Sequence, residues 1–90
     1  MSDQWEVAWS ATARRHLSQL PEKVATSAIE FIYGALADNP SRVGRALRFE
    51  LEGHHSARRG DYRVLYTIDS DAHRATIRAI EHRSDVYRKG

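Results

Sequence analysis

The sequence predicts an α+β domain. A strand comes first, then an antiparallel helix hairpin, then three or four mainly antiparallel strands, with both helices on one sheet face and an open basic groove on the other. Three observations predict it. Apolar residues recur at period two over Trp5, Val7 and Trp9. They recur at helical spacing from Ala13 to Leu36. They return to period two from Leu47 onward. The 90 residues suit a single domain spanning 1–90.

The elements follow in order. Trp5, Val7 and Trp9 put one face of a first strand inward, and both tryptophans are expected to pack in the core or on a helix. Ser10 is a good helix N-cap, and Ala13, Leu17 and Leu20 then make a short amphipathic helix. Pro21 suits the first position of a second helix, whose apolar stripe is Val24, Ala28, Phe31, Ile32, Ala35 and Leu36. Gly34 inside that helix costs up to about 1 kcal/mol, which implies close packing there. Asp38-Asn39-Pro40-Ser41 ends the helix. Leu47-Arg48-Phe49-Glu50-Leu51 alternates as a strand until Gly53. Ser56 to Arg59 is a short second piece, and Gly60-Asp61 signals a turn.

Tyr62 to Ile68 has the highest β propensity in the chain. Val64, Tyr66 and Ile68 are expected on the helix side, which sends Arg63, Leu65 and Thr67 to the open face. Residues 69–73 form a hairpin loop, Arg74 to Arg83 the last strand, and Ser84 to Arg88 a short tail.

Hydrophobic residues make up 41% and charged residues 29%, a globular rather than a disordered composition. A chain of this size buries only roughly two-thirds of its unfolded surface, so a partner that binds the native state would add stability. There are no cysteines. A small domain of an oxidising compartment usually needs disulfides, so the expectation is a cytosolic location. No apolar run is long enough to span a membrane, and the polar start Met1-Ser2-Asp3-Gln4-Trp5-Glu6 is unlike a secretory signal.

Charge is divided unevenly. Residues 1–41 carry three basic and five acidic side chains, and residues 42–90 carry eleven basic and seven acidic. The excess is almost all arginine, whose planar fork matches phosphate oxygens and stacks on bases. That points toward nucleic acid, although solvated faces that bind nothing also carry such patterns.

Several chemistries are excluded. No glycine-rich loop leads into Lys-Ser or Lys-Thr, and there is no cysteine nucleophile. No histidine pair has the helical spacing of a zinc site. The neighbours His54-His55 and Glu81-His82 point to opposite faces of a strand. Neither a metal nor another cofactor is expected.

What remains is Gly53-His54-His55-Ser56-Ala57-Arg58-Arg59-Gly60-Asp61-Tyr62-Arg63-Val64-Leu65-Tyr66, followed by Ile80-Glu81-His82-Arg83-Ser84-Asp85-Val86-Tyr87. These segments resemble the RelE/ParE superfamily of bacterial toxins, and the likeness extends to the length and the order of elements. The resemblance implies the toxin of a type II toxin–antitoxin pair, held inactive by a cognate antitoxin protein. RelE-like members cleave mRNA on the ribosome and so inhibit translation. ParE-like members poison DNA gyrase and are not nucleases. A third alternative, an inactive binding module, stays open.

Under the RelE-like reading a ribose 2′-hydroxyl attacks the adjacent phosphorus, leaving a 2′,3′-cyclic phosphate and a 5′-hydroxyl, without a metal. By resemblance, Arg63 contacts the scissile phosphate, Arg83 lies near the leaving group and Tyr87 stacks on or orients a base. His82 is the acid/base candidate, because imidazole is the side chain suited to moving a proton near neutral pH. Arg58, Arg59, Arg48 and His54 are candidate RNA contacts. The family's two lysines ahead of the Tyr-Arg pair correspond to His54 and Ser56, which leaves the base unassigned.

Overall fold

Among the described residues every strand pairing but one is antiparallel, and the exception joins the first described strand to the last. The computed structural model describes residues 4–47 and 53–82. Its first strand, β1 (Glu6–Trp9), runs parallel to the last, β5 (Arg74–His82), with Val7 opposite Ala75 and Trp9 opposite Ile77. Between them come helices α1 (Ala11–Gln19), α2 (Glu22–Phe31) and α3 (Pro40–Val43), then strands β2 (Arg45–Ala46), β3 (His54–Arg59) and β4 (Tyr62–Asp69). The sheet order is β1-β5-β4-β3-β2.

Ser10 starts α1 as its sequence suggests. Its hydroxyl accepts the Ala13 N–H at 3.0 Å and donates to the Arg78 carbonyl at 3.1 Å, so one residue caps the helix and ties it to β5. Ala13 is fully buried, and Leu17 and Leu20 join the core beside it. On the same helix the His16 Nδ1 accepts the Ile80 N–H at 3.1 Å, a second tie to β5. Pro21 stands at the N-cap of α2, one position before the helix proper.

The end of α2 departs from the expected stripe. Residues Ile32–Leu36 form a π-helical turn, which holds more residues per turn than an α-helix. The phase therefore shifts. Ala35 faces solvent, while Ala37 is 2% exposed and accepts the Trp5 N–H through its carbonyl at 2.8 Å. Gly34 lies in this turn, and apart from its own helical turn and chain neighbours no described atom stands within 4 Å of where a Cβ would be, so no other described element packs closely there. The close approach occurs instead at Gly44, where a Cβ would come 2.4 Å from the Tyr66 hydroxyl and 2.7 Å from the Ser56 carbonyl oxygen.

Phe31, Ile32 and Leu36 from the helical layer meet Ala57, Val64, Tyr66, Ile77 and Ile80 from the sheet in one core cluster. Tyr66 is 0% exposed, and its hydroxyl donates to the Pro40 carbonyl at 2.5 Å. Burial pushes that phenol up to about 12, so the group keeps its proton and remains a donor. Trp9 packs at the edge of this core and its Nε1–H donates to the Tyr33 hydroxyl at 2.8 Å. Trp5 stacks on His73 with ring centroids 4.1 Å apart.

The β3–β4 hairpin closes through Gly60-Asp61, with Arg59 opposite Tyr62. Gly60 has φ 55°, the left-handed geometry that a two-residue hairpin loop demands and glycine adopts freely. β4 and β5 then pair along eight positions, but the ladder slips once. Leu65 faces Ala79 while Tyr66 faces Ile77, so Arg78 is an extra residue, a β-bulge. Of the strand expected at 47–51, only Leu47 is described, and its N–H donates to the His54 carbonyl at 2.8 Å. The tail from 84 lies outside the described residues.

Candidate nucleic-acid interface

Alternation sorts β4 as expected. Tyr62, Val64 and Tyr66 are buried beneath the helices, and Arg63, Leu65 and Thr67 face the other way. The register then fixes their neighbours on this open face. Arg58, Arg63 and Glu81 form one row across β3, β4 and β5, and His54, Thr67 and Thr76 another. Between these two rows lie Ser56, Leu65 and Ala79, and Arg45 of β2 stands opposite Ser56. Arg78, lifted out of the ladder by the bulge, donates through Nε to the Thr67 hydroxyl at 3.2 Å and so reaches over the same face.

Two arginines directly opposite each other in a sheet repel. Arg58 and Arg63 occupy such a pair. Glu81 offsets part of the repulsion. Its Oε1 accepts from the Arg63 Nη2 at 2.5 Å and from Nε at 3.2 Å. The two side chains are 52% and 46% exposed, so water and salt screen the pair, which is worth at most about 1 kcal/mol. The row thus keeps a net positive charge on a face that no described element covers, the arrangement that attracts a phosphodiester.

The sequence candidates divide between two faces. Arg63, Arg58 and His54 share the open one. His54 lies four residues along β3 from Arg58, roughly 13 Å at strand spacing, too far for both to contact one phosphate. His82 requires a correction. It stands in register with Tyr62 and is 8% exposed, on the helix side of the sheet, so it does not share a cleft with Arg63. Simple alternation from Ala75 and Ile77 would have turned His82 toward Arg63. The bulge at Arg78 reverses the phase and turns Glu81 there instead.

Arg59 also requires a correction. It points to the helix side, with its guanidinium 4.7 Å from the centroid of the Phe31 ring, in a cleft lined with Ser27, Glu30 and Tyr62. Arg48, Arg83 and Tyr87 lie outside the described residues. Glu81, Arg78 and Arg45 were not singled out from sequence. For Glu81 the only signal was its parity opposite to His82, and the choice between the two needed the bulge.

His55 sits on the helix side of β3, stacked on Tyr66 at 5.6 Å between ring centroids. The Nδ1 atoms of His54 and His55 are both buried without a hydrogen-bond partner among the described residues. Burial, and secondarily the charge of His54, lower the His55 pKa from its ordinary 6.5. The folded state therefore holds this proton more weakly than the unfolded chain does. Its contribution to stability is intact above the unfolded value and declines as pH falls below it. Melting temperature should drop between about pH 7.5 and about pH 5.5, and His55→Phe should flatten that drop. An equal drop in both proteins would sink this assignment.

Among the described residues no three His, Asp or Glu side chains gather as a metal site would require, and no helix is long and apolar enough to cross a membrane.

Comparison with known proteins agrees with this architecture. The family model described as the ParE toxin of the type II toxin–antitoxin system, parDE, matches residues 7–87. The chain is 54% identical over 90 residues to Toxin RelE of Mycobacterium tuberculosis, covering 98% of this chain and 93% of that one. Toxin RelG of the same organism is 45% identical over 85 residues, covering 94% and 98%. The solved toxin–antitoxin complex RelBE2 from Mycobacterium tuberculosis contains a chain that superposes with a TM-score of 0.87 at 44% identity, covering 91% of this chain and 94% of that one. With a family model spanning nearly its whole length and relatives this similar at matching size, the chain belongs to the ParE toxin family of type II toxin–antitoxin systems, within the RelE/ParE superfamily.

Proposed function

We propose that this toxin is a ribosome-dependent endoribonuclease that cuts mRNA, blocks translation in the cytoplasm and is neutralised by a cognate antitoxin protein. The observation that carries the reading is the Arg58–Arg63 pair, set directly across two strands on the sheet face the helices leave bare. Two guanidinium groups so placed can hold the nonbridging oxygens of one phosphodiester through several charge-assisted hydrogen bonds. They stabilise the charge that builds on those oxygens as a ribose 2′-hydroxyl attacks phosphorus. Arginine stays protonated and cannot be the base. Arg78 and Arg45 extend the positive track, which favours a single strand lying across β3, β4 and β5.

The antitoxin partner is supported by the RelBE2 relative, solved as a toxin–antitoxin complex, and by the basic surface, which suits an acidic, amphipathic segment. A second reading, a gyrase inhibitor that cuts no RNA, is favoured by the ParE description of the matched family and by the position of His82 away from Arg63.

Primer extension on mRNA from cells expressing the chain without its antitoxin distinguishes the two. Discrete new 5′ ends within codons are expected. Intact mRNA, with purified gyrase losing supercoiling activity, would select the second reading.

A further inference from the structure

We propose that Glu81 is the general base of the cleavage reaction, taking the proton from the attacking ribose 2′-hydroxyl. The inference rests on the nuclease reading above and supplies the base that reading lacks. Three observations carry it. Glu81 lies in the same row as Arg58 and Arg63 on the open face. Among the described residues its carboxylate is bonded to Arg63 through Oε1, at 2.5 Å from Nη2 and 3.2 Å from Nε, and Oε2 is the oxygen that would accept a proton. It is also half-exposed, so substrate can reach it.

The other acid/base candidates are badly placed. His82 is turned beneath the helices, and His54 lies roughly 13 Å along the strand from the arginine pair.

The Arg63 fork explains how base and phosphate are held together. Nε and Nη2 grip Glu81, while Nη1 remains directed away from it, and Arg58 stands opposite. A phosphodiester seated on Nη1 and Arg58 would share one rigid, planar cation with the base. For Oε2 to act as the base, the 2′-hydroxyl next to that phosphate must lie within hydrogen-bond reach of it, and the shared Arg63 fork brings the two together.

In the step itself, Oε2 removes the 2′ proton as the O2′–P bond forms and the P–O5′ bond breaks. The departing O5′ takes a proton from solvent water. Glu81 later returns its proton to solvent, so the products are the 2′,3′-cyclic phosphate and the 5′-hydroxyl with no net consumption of water.

The test is single-turnover cleavage of mRNA in programmed ribosomes by the full chain, comparing wild type, Glu81→Gln and Glu81→Asp across pH. Glu81→Gln keeps the shape and an acceptor for Arg63, and is expected to slow cleavage by roughly 10²–10⁴-fold with binding to programmed ribosomes retained. The acid limb of the wild-type pH–rate profile should vanish in that variant, a change that a purely structural role would not produce. Glu81→Asp, which keeps the carboxylate one methylene shorter, should fall between the two, and it carries the test if Glu81→Gln does not fold.

A counter-ion that only competes with phosphate predicts the opposite sign. Cleavage by Glu81→Gln as fast as wild type, or faster, overturns the inference while leaving the nuclease reading intact. A wild-type chain that cuts nothing overturns both.

Discussion

Arg63→Ala should cut mRNA roughly 10²–10³-fold more slowly than wild type, a loss of about 2.7–4 kcal/mol of transition-state stabilisation by analogy with the removal of one oxyanion donor. The residue is the middle of the Arg58–Arg63–Glu81 row, so its removal takes away the donors that the proposed function assigns to the phosphate and also releases Glu81 from its anchor. The fold should hardly notice. The ion pair it loses is half-exposed and worth at most about 1 kcal/mol. The repulsion with Arg58 that disappears offsets part of even that.

A large loss of rate at a nearly constant melting temperature is therefore the expected signature. Arg63→Lys should recover only part of the activity, because an ammonium cannot grip carboxylate and phosphate at once through a planar fork. Binding to single-stranded RNA should show a salt slope shallower by about 0.7 for the alanine variant, one phosphate contact fewer. Cleavage by Arg63→Ala at the wild-type rate would remove the basis of the proposed function.

Gly44→Ala should destabilise the fold by about 1–3 kcal/mol or more, the range for forced overpacking. The reason is proximity rather than backbone geometry, since φ at Gly44 is −132°. A methyl group there would meet the Tyr66 hydroxyl at 2.4 Å and the Ser56 carbonyl oxygen at 2.7 Å. Neither can easily retreat. The hydroxyl is held by its bond to the Pro40 carbonyl at 2.5 Å, and Ser56 belongs to the middle of β3. For a domain whose total stability is about 5–15 kcal/mol, this is a severe loss.

Tyr66→Phe by itself should cost about 1–3 kcal/mol, because the buried Pro40 carbonyl loses its donor. The two changes should not add. Phenylalanine has no oxygen for the new methyl to strike, so the double variant should be more stable than the sum of the single losses implies. Urea unfolding midpoints of the four proteins measure this directly. Strict additivity would mean that the approach to Tyr66 does not limit residue 44.

Local patterns made much of this protein readable before any coordinates. Alternation over Tyr62–Ile68 separates Val64 and Tyr66 from Arg63 and Leu65, because a strand's side-chain period of two is a property of the backbone alone. The helix hairpin, the Ser10 cap and the Gly60 turn are likewise short-range. The segment around Gly34 differs from the expected stripe because apolar spacing does not announce a π-helical turn, and that turn moves Ala35 out and Ala37 in.

The site divides along the same line. From composition and alternation the chain itself dictates a basic second half, with Arg63 on the face away from the helices. Which acidic or basic neighbour stands beside Arg63 is a different kind of question. It turns on one extra residue, Arg78, whose carbonyl is pinned by the Ser10 hydroxyl from 68 positions away, and on the parallel pairing of the first strand with the last. A single-residue slip inverts every side chain beyond it. Only the assembled sheet could therefore decide that Glu81 faces the arginines and His82 the core.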